Sequence, residues 1–313
     1  MTTNVPASIR ARLRIRAQAE GADFQLFLVR YACERFLYRL GASSVRELCV
    51  LKGASLLVLW MEEPYRATRD IDLLATGAND QHTVRQIVET ICEYPCPEDG
   101  IKFDLRNLRV SSTGDNREYG GQSARFDAVL DSARISVHVD FGFGDAVIPD
   151  PIEEHLPTLL DGVPSPVLQT YPKETTIAEK FEAMVRLGTI NSRMKDFYDV
   201  WALSEEFSFE GPLLLEAIAG CFERRNTQWT EEMPDSLTST FYSDPDRRDL
   251  WNAYGRRGEI LSPPPSAFEE IGERIQSFLG PVRDSILAGE PFDMKWSPGG
   301  PWRLPANGPW EEN

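Results

Sequence analysis

The sequence has no hydrophobic run approaching the roughly 18 residues that a membrane-crossing helix needs, so no membrane partner is expected. Its opening residues, MTTNVPASIRARLRIR, lack the apolar segment and small-residue cleavage site of a secretory signal, which points to the cytoplasm. Histidine is scarce, at three residues, and the five cysteines (Cys33, Cys49, Cys92, Cys96 and Cys221) contain no Cys-x-x-Cys pair. That spacing excludes a zinc ribbon, and an odd count on a chain of 313 residues does not describe a disulfide scaffold. Positive charge is also in deficit: the net charge of −16 argues against a surface that coats nucleic acid. The deficit is uneven. The first fifty residues carry eight arginines against Glu20, Asp23, Glu34 and Glu47. Arg10, Arg12, Arg14 and Arg16 could therefore guide a polyanion, although solvated helix faces explain the same pattern.

With 42% hydrophobic and 26% charged residues, the chain can build a sizeable core. Ser8 caps an expected helix over 8–20 with Ile9, Leu13 and Ala17 on one face, and a second helix is expected over 23–40, stopped by Gly41. A short strand at 47–51 leads to Gly53, which opens a buried helix to about Met61. Residues 68–74 read as a strand, and Asn79 or Asp80 caps the helix after it. Strands follow at 101–110, 124–130 and 134–141, the last two forming a hairpin around Asp131-Ser132. Six prolines between 149 and 172 mark a connector. Beyond it the pattern is helical, with a capping box at Thr176 and Glu179 and later helices at about 193–203, 211–226, 236–257 and 265–288. The expected class is α+β: a mixed-sheet domain over 1–165, a helical domain over 166–290, and an extended Pro/Trp-rich tail over 291–313.

The chemistry concentrates in LKGASLLVLWMEEPYRATRDIDLL, residues 51–74. In a strand, Asp70 and Asp72 project from the same face, and two adjacent carboxylates invite a hard cation such as Mg²⁺. On the strand 134–141, His138 and Asp140 share the face opposite Ile135, Val137 and Val139, so Asp140 is a third candidate ligand if the strands are neighbours. Backbone N–H groups at Gly53, together with Lys52, Ser55 and Arg66, could hold phosphate oxygens. Three carboxylates beside a phosphate-binding turn suit nucleotidyl transfer from an NTP. Each piece also has a structural explanation: Asp-Ile-Asp ends many exposed strands, and Asp140 through Asp145 could be a tight turn.

Leu51-Lys52-Gly53-Ala54 followed by Arg66-x-Thr68-x-Asp70-Ile71-Asp72-Leu73 resembles the signature of the AbiEii-type nucleotidyltransferases, toxins of bacterial toxin–antitoxin and phage-defence systems. The stretch FLVRYACERFLYRL and two later blocks, Thr176 to Phe181 and Arg193 to Asp199, resemble that family in the same order. The resemblance implies a polymerase β-like nucleotidyltransferase core followed by a helical part. It also implies Asp70 and Asp72 as Mg²⁺ ligands, Lys180 as a nucleotide-phosphate contact and Asp196 as a further active-site acid. The acceptor it implies is RNA, in some members the tRNA 3′ end, with a cognate antitoxin as a possible partner. On spacing alone, Lys180 is equally a helix-edge lysine, and Arg193 with Asp196 an intrahelical ion pair.

One departure is clear: the superfamily's Gly-Gly or Gly-Ser turn is Gly53-Ala54 here, with Ser55 one place late. Two other readings remain. A glycosyltransferase would use Asp-x-Asp to hold a nucleotide-sugar, but calls for a preceding series of βα units. A non-catalytic relative would bind a nucleotide or partner without turnover.

Overall fold

The computed structural model of the protein describes residues 4–61, 68–113, 120–256, 260 and 262–305. The chain divides into two compact units. The first comprises Met1–Asp145 and Pro151–Tyr171, and the second Ala146–Asp150 and Pro172–Asn313.

The first unit opens with helices α1 (Val5–Ala19) and α2 (Phe24–Ala42). The α1 helix starts three residues earlier than Ser8 would set it, because the Asn4 side chain accepts from the Ala7 N–H and a proline occupies the first turn. Its expected stripe of Ile9, Leu13 and Ala17 is buried. Gly41 does not end α2. It lies within the helix, where a Cβ would stand 2.2 Å from the Val167 carbonyl oxygen, so glycine is required by close packing.

Strand β1 (Cys49–Lys52) then leads into a 3₁₀ turn at Gly53–Leu56 and a single helical turn, α3 (Leu57–Trp60). The longer helix expected after Gly53 is absent among the described residues, so no aligned macrodipole develops behind that turn. Strand β2 (Ile71–Ala75), helix α4 (Gln81–Glu93, capped by Asp80) and strands β3 (Ile101–Thr113), β4 (Gly121–Leu130) and β5 (Ala133–Phe143) follow. The proline-rich connector supplies two further strands, β6 (Ile152–His155) and β7 (Val167–Thr170). Among the described residues the sheet has seven strands, ordered β3-β4-β5-β2-β1-β7-β6. The β1–β7 and β2–β5 pairs are parallel and the others antiparallel, so the mixed sheet and α+β class are as expected.

One sheet face is apolar and meets α2. Phe36 of α2 packs against Phe103 and Phe126 with ring centroids 6.0 and 5.5 Å away. Ile71, Leu73, Val137 and Val139 are fully buried on the same face. A buried ion pair locks the far end of α4 to this core: Arg39 and Asp99 meet at 2.6 Å with both side chains almost wholly inaccessible. Arg39 also donates to the carbonyls of Tyr94, Arg35 and Ile101.

The second unit is mainly helical: α5 (Lys173–Leu187), α6 (Met194–Glu206), α7 (Gly211–Arg224), α8 (Ser239–Ser243), α9 (Pro245–Gly255) and α10 (Phe268–Ala288). Pro172 rather than a Thr176 capping box starts α5; Thr176 lies inside the helix, buried, with its N–H on the Pro172 carbonyl. Pro245 divides the helix expected over 236–257, since it begins a new helix and has no N–H to continue the previous one. Phe197, Phe241, Tyr242 and Phe268 form the aromatic core. The proline- and tryptophan-rich end is folded into this unit. Strands β8 (Phe209–Glu210), β9 (Lys295–Trp296) and β10 (Trp302–Arg303) form a small sheet, and the indoles of Trp296 and Trp302 donate to the Ser204 and Phe278 carbonyls. Trp310 lies outside the described residues.

Replacing Asp99 with alanine leaves the Arg39 guanidinium buried without its carboxylate, a change expected to cost about 3–5 kcal/mol. Urea denaturation of the Asp99→Ala protein measures that loss.

Candidate active site

The polar face of the first unit's sheet carries two transverse rows of side chains, each fixed by strand register. In one row Lys52 of β1 pairs with Asp72 of β2, Asp72 with Asp140 of β5, Asp140 with Ser123 of β4, and Ser123 with Ser111 of β3. Adjacent strands lie about 4.8 Å apart, so the carboxylates of Asp72 and Asp140 are immediate neighbours. In the next row Arg109 pairs with Arg125 and Arg125 with His138. His138 then reaches Asp70, which immediately precedes β2, with Nδ1 3.0 Å from Asp70 Oδ1. The structure therefore brings Asp70, Asp72 and Asp140 together on one face.

His138 holds the outer two acids. Its Nε2 lies 2.6 Å from Ser123 Oγ and 3.3 Å from Asp140 Oδ1. Hydrogen bonds to Asp140 and then Asp70 raise its pKa from 6.5 to about 9 against the opposing effect of burial. At neutral pH the imidazolium donates from both nitrogens and supplies positive charge between two carboxylates. Spacing alone left His138 open between a substrate contact and a satisfied strand histidine; its proximity to Asp70 follows only from the β2–β5 pairing.

Gly53 sits behind Asp72 with φ +73°, and a Cβ there would stand 2.2 Å from Asp72 Oδ2. The carboxylate thus rests against bare backbone. Lys52 Nζ lies 2.9 Å from Asp145 Oδ2 and 3.5 Å from the Tyr171 hydroxyl, with the Tyr171 ring centroid at 5.2 Å. Neither Asp145 nor Tyr171 was a sequence candidate. Ser55 is buried and donates its hydroxyl to the Asp70 carbonyl at 3.4 Å, bracing the acid-bearing segment. Arg66 lies outside the described residues.

No group of three or more His, Cys, Asp or Glu side chains among the described residues forms a ready cage for a metal. Mg²⁺ does not require one. It usually takes one or two carboxylates and completes its octahedron with water and substrate phosphates. The residues present fit that pattern: adjacent Asp72 and Asp140 carboxylates, a third at Asp70, oxygen donors, and a glycine that leaves room at Asp72. A Gly53→Ala substitution forces a side chain against Asp72 in a left-handed conformation. It is expected to lower stability by about 1 kcal/mol or more, read as a fall in melting temperature.

Lys180 and Asp196 belong to the second unit, where they pair with each other. Lys180 on α5 lies 3.0 Å from Asp196 Oδ1 and 2.6 Å from Asp199 Oδ2 on α6. The expected Arg193–Asp196 ion pair is present at 2.6 Å, while Asp199 turns to Lys180. Burial pushes the Asp196 carboxyl up, but Lys180 and then Arg193 outweigh it, so its pKa lies below the ordinary 3.8. Nearby, fully buried Glu182 accepts from Arg186, Arg225 and Thr227 at 2.7–2.9 Å, a network with no sequence signature.

A depressed carboxylate pKa stabilises the fold above the unfolded-state value and loses that contribution as pH falls through the folded value. An Asp196→Asn protein is therefore expected to be less stable than the parent at about pH 7 and to converge on it as pH falls below 3.8. Denaturant midpoints measured across that range test the convergence.

Comparison with known proteins gives the family. The crystal structure of JHP933 from Helicobacter pylori aligns with a TM-score of 0.48 and 12% identity, over 85% of this chain and 95% of that one. A presumed nucleotidyltransferase of H. pylori aligns with the same score and identity, over 86% and 100%. No curated protein matches the chain. The profile described as "Nucleotidyl transferase AbiEii toxin, Type IV TA system" matches residues 35–274, which include Asp70, Asp72, Asp140, Lys180 and Asp196. With well over half its length matched, the chain belongs to the AbiEii family of nucleotidyltransferase toxins.

Proposed function

We propose that this chain is a Mg²⁺-dependent nucleotidyltransferase that moves a nucleotide from an NTP to an RNA acceptor, with the tRNA 3′ end as the specific substrate. The observation that carries this reading is the Lys52–Asp72–Asp140 row, with Gly53 leaving bare backbone against Asp72. Asp72 and Asp140, with Asp70, would hold Mg²⁺, which when bound neutralises the triphosphate and favours an ionised attacking hydroxyl.

The chain's own groups perform the remaining work. The Gly53 turn presents backbone to a phosphate oxygen, and Lys52 supplies positive charge beside it. The acceptor hydroxyl attacks the α-phosphorus, the bond to the β-phosphate oxygen breaks, and pyrophosphate leaves. Asp140 takes the hydroxyl proton. His138, bonded to both Asp70 and Asp140, keeps their carboxylates oriented between turnovers. On the second unit, Lys180 is the candidate nucleotide-phosphate contact and Asp196 the candidate further active-site acid. Membership of a Type IV toxin–antitoxin family supports an antitoxin as physiological partner.

The glycosyltransferase alternative gains nothing from the structure. Among the described residues, three helices (α1, α2 and the single-turn α3) and one strand precede the Asp-x-Asp strand, rather than a series of βα units.

Incubation with each labelled NTP, Mg²⁺ and total RNA is expected to label RNA in the parent. Asp72→Asn preserves shape and packing while removing the charge, and should reduce labelling by at least about 100-fold. Chelation with EDTA should abolish labelling and added Mg²⁺ restore it. Unchanged labelling in Asp72→Asn would remove the metal site from the proposal, and labelling of no RNA would remove the acceptor.

A further inference from the structure

The polar face of the sheet does not treat its arginines equally. Arg106 is neutralised by Asp104 at 2.6 Å, and Arg134 by Asp127 at 2.7 Å and Asp104 at 3.4 Å. Arg109 and Arg125 sit directly opposite each other on β3 and β4, both exposed, with no acidic partner among the described residues. Like charges placed opposite each other across a strand pair repel. In a protein with 49 acidic and 33 basic residues, this is an unusual place to leave two guanidinium groups without carboxylates.

Their position relative to the acids gives the pair a direction. Across the sheet, Asp72 of β2 and Asp140 of β5 lie in the middle, with Asp70 immediately before β2. Lys52 and Gly53 flank them on the β1 side, while Arg109 and Arg125 flank them on the β3 and β4 side. From β1 to β4 is three strand spacings, about 14 Å. In an in-line displacement the attacking and leaving oxygens occupy opposite sides of the transferred phosphorus. If the leaving pyrophosphate is held beside Lys52 and Gly53, the incoming nucleophile arrives from the side of the arginine pair.

We propose that Arg109 and Arg125 dock the phosphate backbone of the RNA acceptor and lead its reactive hydroxyl toward Asp140. The inference rests on the nucleotidyl-transfer reading and assigns the acceptor surface of that same site. Arginine suits this role because its planar fork can donate two parallel hydrogen bonds to a phosphate. The α1 arginines, the surface expected from charge alone, are partly engaged. Arg10 pairs with Asp131, Arg12 and Arg16 donate to the Asp161 and Leu159 carbonyls, and Arg14 lies over the Phe24 ring at 5.1 Å.

The test measures binding without turnover, using a fluorescein-labelled single-stranded RNA of about 20 nucleotides with a free 3′ hydroxyl, over a range of salt concentrations. Three proteins are compared: the parent, the Arg109→Ala/Arg125→Ala double variant, and Arg106→Ala as a control on the same strand. The double variant is expected to bind RNA at least about tenfold more weakly, with the log K versus log salt slope reduced by about 1–2. Arg106→Ala should match the parent. NTP affinity, measured without RNA, should stay within about twofold of the parent in both variants.

An unchanged salt slope in the double variant would overturn the proposal. So would an equal loss of NTP affinity, which would make the pair a triphosphate site, or an absence of salt-dependent RNA binding by the parent. Salt-dependent binding lost in the double variant would support the docking surface even if no nucleotide were transferred, so failure of the transfer reading is distinguishable. Matching melting temperatures for the three proteins confirm that the exposed substitutions leave the fold intact.

Discussion

The parallel pairing of β2 with β5 is the constraint on which the site depends. It sets Asp72 beside Asp140 and brings Asp70 within reach of His138, although these residues come from distant parts of the chain. The opposite face fixes the register. Ile71, Leu73, Val137 and Val139 are fully buried, and a slip of one residue would turn them to the polar face and drive the carboxylates into the core. The hydrophobic effect thus holds together acids that would otherwise repel. The imidazolium of His138 offsets part of that repulsion.

Much of this was legible in the sequence, for reasons that differ by element. Asp-Ile-Asp and His138-x-Asp140 declare their shared faces through the two-residue period of a strand. The Asp131-Ser132 turn goes further: with Leu130 opposite Ala133, counting back places Ser123 opposite Asp140 and Arg125 opposite His138. Arg109 could not be placed in that way. Asp104 and Arg109 are five residues apart and should face opposite ways, but the β3–β4 register shifts between them and returns both to the polar face. Strands β6 and β7 were hidden because prolines flank them, and proline reads as a break when its neighbours are considered alone. The Lys180–Asp199 bond joins two helices, a pairing that no local pattern encodes.

The distribution of neutralised and unneutralised charge says more about the surface than net charge does. An overall charge of −16 obscures the fact that Arg39 is buried with Asp99 while Arg109 and Arg125 are exposed and, among the described residues, without a carboxylate partner. It also obscures the engagement of Arg10, Arg12 and Arg16 of α1 with Asp131, Asp161 and Leu159. The same β3 charges have a second effect: β3 is an edge strand, and exposed charge together with a bulge discourages another chain from adding to it.

The division into two units has a consequence for handling the molecule in pieces. The chain passes between them three times, after Asp145, Asp150 and Tyr171. A cut at the boundary expected from composition, between 165 and 166, would separate β7 from the sheet, although β7 joins β1 to β6. A fragment ending there would expose the outer edge of β1 and lose the partner strand of β6. The first unit is therefore a discontinuous module, complete only when synthesis has continued through Tyr171, and neither unit corresponds to a single uninterrupted stretch of sequence.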